Sequence, residues 1–263
     1  MILNKIKGGI QEPKITLVGA GPGDPDLISL KGVKALNTAD VVLYDALVNG
    51  ALLNHAPENA IKIFVGRSDD ASFSQAAVNK LMIDYALNYG HVVRLKSGDP
   101  FVFARGFEEV DFAESYSIQT EIIPGISSAI GVPGLHKIPM IYGDLSQSFW
   151  VLAGTNSKGE ISPDLTGAAK SNATVVVLMG IERIREIAAI FKQEGKDRLP
   201  VAVIENGSFN NEKIVVGVVD TIAELIEDHK ISSPALLVFG DVVSLHPSFS
   251  RIRDFYHLLS EAE

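Results

Sequence analysis

Short apolar runs along the chain alternate with longer stretches in which apolar residues recur at helical spacing. In the first half, such runs predict β-strands at residues 15–19, 41–44, 61–66, 91–96 and 120–124. Ahead of the fourth run, Ser74 is placed to begin a helix and Gly90 to end it. This alternation is typical of βαβ units, in which helices cover a mostly parallel sheet.

The second half repeats this rhythm after an irregular segment. Strands are predicted at residues 149–154, 174–180, 201–207, 212–219 and 235–240. Between them, Ile184, Ile187 and Phe191 lie on one face of a predicted helix that Gly195 ends. We therefore expect an α/β fold of two domains with mostly parallel sheets and an inter-domain cleft as the ligand site. The domains are placed at residues 14–135 and 146–245, with terminal extensions at residues 1–13 and 246–263.

Charge and composition narrow the class of protein. The 263 residues include 23 Lys and Arg against 32 Asp and Glu, a formal net charge of −9. This balance argues against nucleic acid or an anionic membrane as a partner. The absence of cysteine excludes disulfides, thiolate metal sites and cysteine nucleophiles, and the six histidines lack the spacing of metal ligands. We therefore expect no metal. Because no stretch is typical of a signal peptide or a membrane span, we also expect a cytoplasmic protein.

A glycine-rich loop follows the first strand, in the sequence VGAGPGDPDLISLKG at residues 18–32. The spacing of a dinucleotide-binding loop would require glycine where Asp24 stands, and Pro22 and Pro25 remove amide donors that a pyrophosphate would need. The loop therefore does not fit phosphate. It fits either a close backbone approach to a flat, weakly charged ligand or a purely structural turn.

Two further loops follow strands in the same way. The segment VVRLKSGDPFVFARGFEE occupies residues 92–109, and IIPGISSA occupies residues 122–129. Ligands of open α/β sheets bind at the carboxyl ends of the strands. We therefore expect the three loops to line one crevice.

These motifs, together with ADVVLYDALV, LMG and VIENG in the same order, resemble the tetrapyrrole methylase family from about residue 14 to residue 245. The resemblance implies two successive methyl transfers from S-adenosylmethionine to pyrrole carbons of uroporphyrinogen III, giving precorrin-2 for sirohaem or cobalamin synthesis. It also implies a homodimer. Because S-adenosylmethionine contains no phosphate, the departure of the first loop from the dinucleotide pattern is explained.

The resemblance also implies roles for individual residues. Asp45 is implied as the proton acceptor, although a turn residue or helix cap is an equal interpretation of an aspartate after a strand. The implied contacts of S-adenosylmethionine are Pro22, Ser97, Gly98, Asp99, Val102, Ser127, Ser128, Met179 and Gly207. Met179, taken alone, is more often a core residue than a ligand contact, since it ends an apolar run.

A tetrapyrrole substrate rich in carboxylates requires cations. Arg105 is the best candidate because a guanidinium binds a carboxylate through two hydrogen bonds, the alternative being a surface ion pair with Glu108 or Glu109. Arg94 and Lys96 alternate with apolar residues, so we expect their stems to reach solvent at the edge of the strand.

The resemblance is weaker at the positions that it implies for contact with the substrate. Arg67 stands where family members have a lysine proton donor; an arginine stays protonated, so Arg67 is expected to bind a substrate carboxylate instead. Ile141, Tyr142 and Gly143 replace the usual threonine, histidine and arginine. These departures leave open two alternatives, a later precorrin methylase and a non-catalytic protein that binds S-adenosylmethionine or a tetrapyrrole.

Overall fold

The computed structural model describes residues 12–66, 73–156 and 158–249, and each of its strands overlaps one of the predicted apolar runs. The chain divides into two units, Met1–Ser127 and Ser128–Glu263. The strands of the first unit are β1 (Lys14–Gly19), β2 (Val41–Tyr44), β3 (Ile61–Phe64), β4 (His91–Lys96) and β5 (Gln119–Ile123). Its helices are α1 (Leu30–Leu36), α2 (Gln75–Tyr89) and α3 (Gly106–Ser115), with short 3-10 helices at Pro25–Leu27 and Gly50–His55.

The first unit is built on a five-stranded sheet in the order β3-β2-β4-β1-β5. Its strand pairs are all parallel, which confirms the predicted parallel α/β fold for this unit. Helix α2 begins as predicted, because the Oγ of Ser74 accepts a hydrogen bond from the amide of Ala77 at 3.2 Å. Gly90 ends it with a positive φ of 106°. The helix buries Val78 and Met82 in a cluster with the β1 residue Leu17.

The second unit contains a second five-stranded sheet and the remaining helices. Its strands are β6 (Phe149–Ala153), β7 (Thr174–Leu178), β8 (Pro200–Glu205), β9 (Lys213–Val218) and β10 (Ala235–Phe239). Its helices are α4 (Ser128–Leu135), α5 (Asp164–Lys170), α6 (Ile184–Gln193) and α7 (Ile222–Asp228), with 3-10 helices at Ile181–Arg183 and Asp241–Leu245. Phe191 of α6 and Phe239 of β10 stack in its core with ring centroids 4.4 Å apart.

The second sheet is mixed, so the prediction of a mostly parallel sheet is wrong for this unit. Its strand order is β6-β7-β10-β8-β9, in which β6 and β7 are parallel while β10 is antiparallel to both β7 and β8. Strands β8 and β9 are antiparallel as well. A parallel connection needs roughly a dozen residues or more, whereas only residues 206–212 join these two strands.

Helix α4 belongs with the second unit, although the sequence placed residues 128–135 in the first domain. Its buried residues Ala129 and Val132 pack in one cluster with Val176, Ala202 and Val238 of the second sheet. The boundary therefore lies before α4 rather than after it. Apolar burial, which the chain order alone does not reveal, decides this assignment.

Leu17→Ala is expected to destabilise the first unit, because Leu17 is fully buried in β1, between β4 and β5. A truncation of this kind costs about 2–5 kcal/mol of unfolding free energy. Leu87→Ala is the matched control, since Leu87 lies in α2 and is 58% exposed. Urea unfolding followed by circular dichroism measures both variants. Equal midpoints for the two would contradict the burial of Leu17.

Candidate active site

The sheet order places the three glycine-containing loops side by side. Strands β4, β1 and β5 are neighbours and parallel, so the loops that follow them leave the same edge of the sheet. Gly21 and Gly98 exchange two backbone hydrogen bonds, from Gly21 N to Gly98 O at 3.2 Å and from Gly98 N to Gly21 O at 2.8 Å. The first two loops are therefore joined directly through their backbones.

The third loop is packed against the other two so closely that side chains would not fit. A Cβ atom on Gly125 would lie 2.2 Å from the carbonyl oxygen of Gly98 and 2.7 Å from the Cα of Gly19. A Cβ on Gly19 would meet the amide nitrogen of Gly125 at 2.4 Å. These glycines thus have a structural role, because they permit the loops to meet backbone to backbone.

The side chain of Asp99 holds two of these loops together. Its Oδ1 accepts a hydrogen bond from the amide of Phe101 at 2.8 Å, and its Oδ2 accepts one from the amide of Gly125 at 3.0 Å. A carboxylate that bonds two backbone amides fixes the conformation of a loop without regular structure. Asp99 therefore stabilises the conformation of the second loop and its contact with the third.

Apolar side chains and one arginine line the outer part of the second loop. Phe101, Val102, Phe103 and Phe107 are all exposed. Arg105 stands at the beginning of α3, and its Nη2 lies 2.6 Å from the Oε2 of Glu108, both side chains being more than half exposed. The ion pair considered from the sequence is thus present. This loop presents flat apolar surface next to a guanidinium, a combination that suits a ring system bearing carboxylates.

Asp45 lies at the carboxyl end of β2, directly beside β4. Its backbone amide donates to the carbonyl of Leu95 at 3.3 Å, and its side chain is 25% exposed. The carboxylate binds the guanidinium of Arg94, and its Oδ2 lies 3.9 Å from the Nζ of Lys96. Asp45 is therefore a partly accessible carboxylate next to two cations.

Arg94 and Lys96 do not reach solvent, contrary to the expectation from the sequence. They are 3% and 2% exposed, because β4 lies inside the sheet between β2 and β1 and has no free edge. Glu109 of α3, which is fully buried, supplies their common partner. Its Oε1 accepts hydrogen bonds from the Nε of Arg94 at 3.1 Å and from the Nζ of Lys96 at 2.9 Å.

Asp45, Arg94, Lys96 and Glu109 together form what we call the β4 ion cluster. Gln75 of α2 adds a hydrogen bond from its Nε2 to the Oε1 of Glu109 at 3.1 Å. Burial, and next the nearby Arg94, lower the pKa of Lys96, while Glu109 and Asp45 oppose this change. Arg94, Lys96 and Glu109 were not among the site residues predicted from the sequence. The available signal was the pair of cations at alternate positions of a strand, which places both side chains on the same face of the sheet.

In the second unit, Met179 and Gly207 follow strands whose carboxyl ends lie at one edge of the sheet, on either side of β10. Met179 has a positive φ of 55° and is 55% exposed, so its interpretation as a core residue is wrong. Gly207 approaches α4 closely, since a Cβ there would lie 2.4 Å from the Cγ1 of Val132. Ser128 begins α4 and is half-buried. Tyr142 is exposed.

The remaining predicted residues of the first unit lie in the loops described above. Pro22, Ser97 and Ser127 are half-buried, in the first, second and third loop respectively. Arg67 lies outside the described residues. In the described ranges, no three histidine or carboxylate residues are grouped as metal ligands, and no helix combines the length and apolarity needed to cross a membrane.

Comparison with known proteins identifies the family. The chain matches the Tetrapyrrole (Corrin/Porphyrin) Methylases over residues 14–223. The chain is a tetrapyrrole methylase. The resemblance noted from the glycine loops is thereby confirmed, and so is the α/β fold that it implied.

Relatives of this tetrapyrrole methylase include enzymes of similar length. A uroporphyrinogen-III C-methyltransferase of Methanocaldococcus jannaschii is 42% identical over 238 residues, 88% of this chain and 97% of that protein. The structure of a uroporphyrin-III C-methyltransferase of Thermus thermophilus complexed with S-adenosylhomocysteine superposes with a TM-score of 0.77, at 36% identity, over 88% of this chain and 99% of that one. The structure of a cobalt precorrin-4 methyltransferase of cobalamin biosynthesis gives a TM-score of 0.80 at 26% identity, over 88% of this chain and 95% of that one.

Gly125→Ala tests the backbone packing of the three loops in this tetrapyrrole methylase. The added methyl would overlap the carbonyl of Gly98, so the loops must move apart; overpacking of this kind costs about 1–3 kcal/mol. Gly134→Ala is the matched control, because a Cβ at Gly134 in α4 meets nothing within 4 Å. Urea unfolding should show a loss for Gly125→Ala alone. A loss of the same size in both variants would contradict the contact.

Proposed function

We propose that this chain catalyses the methylation of uroporphyrinogen III with S-adenosylmethionine, in two successive transfers to pyrrole carbons that give precorrin-2 for sirohaem or cobalamin synthesis. Relatives of nearly equal length with this activity in their names support the proposal. The observation that carries it is a partly exposed carboxylate, Asp45, at the same sheet edge as the three interlocked glycine loops.

The residues at this edge fit S-adenosylmethionine. The loops have exposed apolar surface but not the amide pattern that phosphate requires. When bound, the sulfonium supplies an activated methyl group. We assign cofactor contacts in the first unit to Pro22, Ser97, Gly98, Asp99, Val102 and Ser127. In the second unit we assign them to Ser128, Met179 and Gly207.

Arg105 is the proposed anchor for a substrate carboxylate, with Arg67 as a second one. An exposed ion pair such as that of Arg105 with Glu108 is worth at most about 1 kcal/mol, so a substrate carboxylate can replace Glu108 at little cost. Phe101 and Phe103 are exposed in the same loop and can pack against the apolar parts of the macrocycle. The loop thereby orients the ring for reaction.

Asp45 is the proposed proton acceptor. Each transfer forms a carbon–carbon bond to the pyrrole while the carbon–sulfur bond breaks, and the positive charge passes to the ring. The ring returns to neutrality when one of its protons passes to Asp45, whose carboxylate is accessible from solvent. The bonding electrons stay with the ring, so no oxidant or reductant is needed.

The activity is tested by anaerobic incubation of the protein with S-adenosylmethionine and freshly generated uroporphyrinogen III. Mass analysis should show the tetrapyrrole gaining one and then a second CH2 equivalent. Asp45→Asn should reduce kcat by about 100-fold or more, the usual contribution of a general base. Asp84→Asn is the control, since Asp84 is exposed on α2.

Other outcomes of this experiment have defined meanings. Binding of S-adenosylmethionine by calorimetry without mass gain would reject uroporphyrinogen III as substrate. The likeness to a cobalt precorrin-4 methyltransferase then makes a later precorrin the next substrate to try, and failure there would leave a non-catalytic binding protein. Full activity of Asp45→Asn would remove Asp45 from the catalytic role while leaving the reaction itself established.

We further propose that the protein is a cytoplasmic homodimer. Support comes from exposed apolar side chains in the second unit, where Ile141, Tyr142, Phe149 and Trp150 are between 38% and 58% exposed. Light scattering after size-exclusion chromatography should give twice the 28.2 kDa of one chain. A monomeric mass at micromolar concentration would reject the homodimer.

A further inference from the structure

We propose that Arg94 and Glu109 are positioning residues for Asp45, with Glu109 anchoring Arg94 from α3 and Arg94 fixing the carboxylate of Asp45 at the end of β2. The proposal rests on the proposed function of Asp45 as proton acceptor. It concerns two buried residues, of which Arg94 contacts Asp45 and Glu109 contacts Arg94.

Arg94 is suited to this role because its planar guanidinium is held on several sides. Its Nε donates to Glu109 at 3.1 Å, and its Nη1 lies 3.4 Å from the carbonyl of Leu43 and 3.3 Å from that of Leu95. Its Nη2 then donates to the Oδ1 of Asp45. A guanidinium fixed in this way determines the orientation of the carboxylate that it binds, which a flexible lysine ammonium does not.

The two oxygens of the Asp45 carboxylate differ in their contacts. Arg94 occupies Oδ1, whereas Oδ2 accepts no hydrogen bond from the described residues, since the Nζ of Lys96 is 3.9 Å away. Fixing one oxygen leaves the other to receive a proton. Glu109 cannot exchange roles with Asp45, because Glu109 is fully buried whereas the Asp45 side chain is 25% exposed.

Charge balance explains why the second carboxylate is needed. Arg94 and Lys96 are cations, while Asp45 and Glu109 are carboxylates, so the β4 ion cluster sums to zero when all its members are ionised. A neutral cluster does not repel a substrate rich in carboxylates, whereas an isolated anionic base would. Without Glu109, two buried cations would share one carboxylate, and Arg94 would lose the contact that orients it.

Arg94→Lys tests the positioning role, because it keeps the buried charge but removes the planar guanidinium that bonds Glu109 and Asp45 at the same time. We expect kcat to fall about 10-fold or more while the KM for S-adenosylmethionine changes less than twofold. Arg185→Lys is the matched control, since Arg185 forms an exposed ion pair with Glu227 at 2.6 Å. Melting followed by circular dichroism shows whether each variant folds. If Arg94→Lys does not fold, Glu109→Gln is tested in its place.

A double-mutant cycle with Asp45→Asn separates positioning from a merely structural role. If Arg94 acts through Asp45, Arg94→Lys should cost little further kcat once Asp45 has been replaced. If the two substitutions reduce kcat by independent factors that multiply in the double mutant, the positioning proposal is wrong, although Asp45 remains the base. Full activity of Asp45→Asn would overturn the assignment of Asp45 and the positioning proposal together.

Discussion

The hydrogen bonding of β4 between β2 and β1 determines where the residues of the first unit's site lie. Because these strands are parallel, Asp45, Ser97 and the loop after Gly19 all emerge at one edge of the sheet. The same pairing removes any free edge from β4, so the side chains of Arg94 and Lys96 must be neutralised inside the protein. The site and its buried cations are thus two consequences of one strand placement.

Much of this unit could be predicted from its sequence, because buried strands and helix ends have local signals. The bounds of β2 and β4 match their apolar runs, and Ser74 and Gly90 delimit α2 as expected. The direction of the strands in the second sheet could not be predicted from apolar runs alone, since runs buried in parallel and in antiparallel sheets look alike. The short connection at residues 206–212 was the usable signal, because it leaves no room for a crossover helix.

The backbone loops of the candidate site could be predicted from the sequence, but the ion pairs among its side chains could not. Glycine loops are local features, so their convergence followed from the strand order. The partners of Arg94 are distant in sequence, with Asp45 lying 49 residues before it and Glu109 lying 15 residues after it. Alternation of charged and apolar residues is typical of a half-buried strand, and only the position of β4 inside the sheet reverses that interpretation. Ion pairs between residues so far apart in the chain follow no regular spacing, so a single sequence does not show which residues pair.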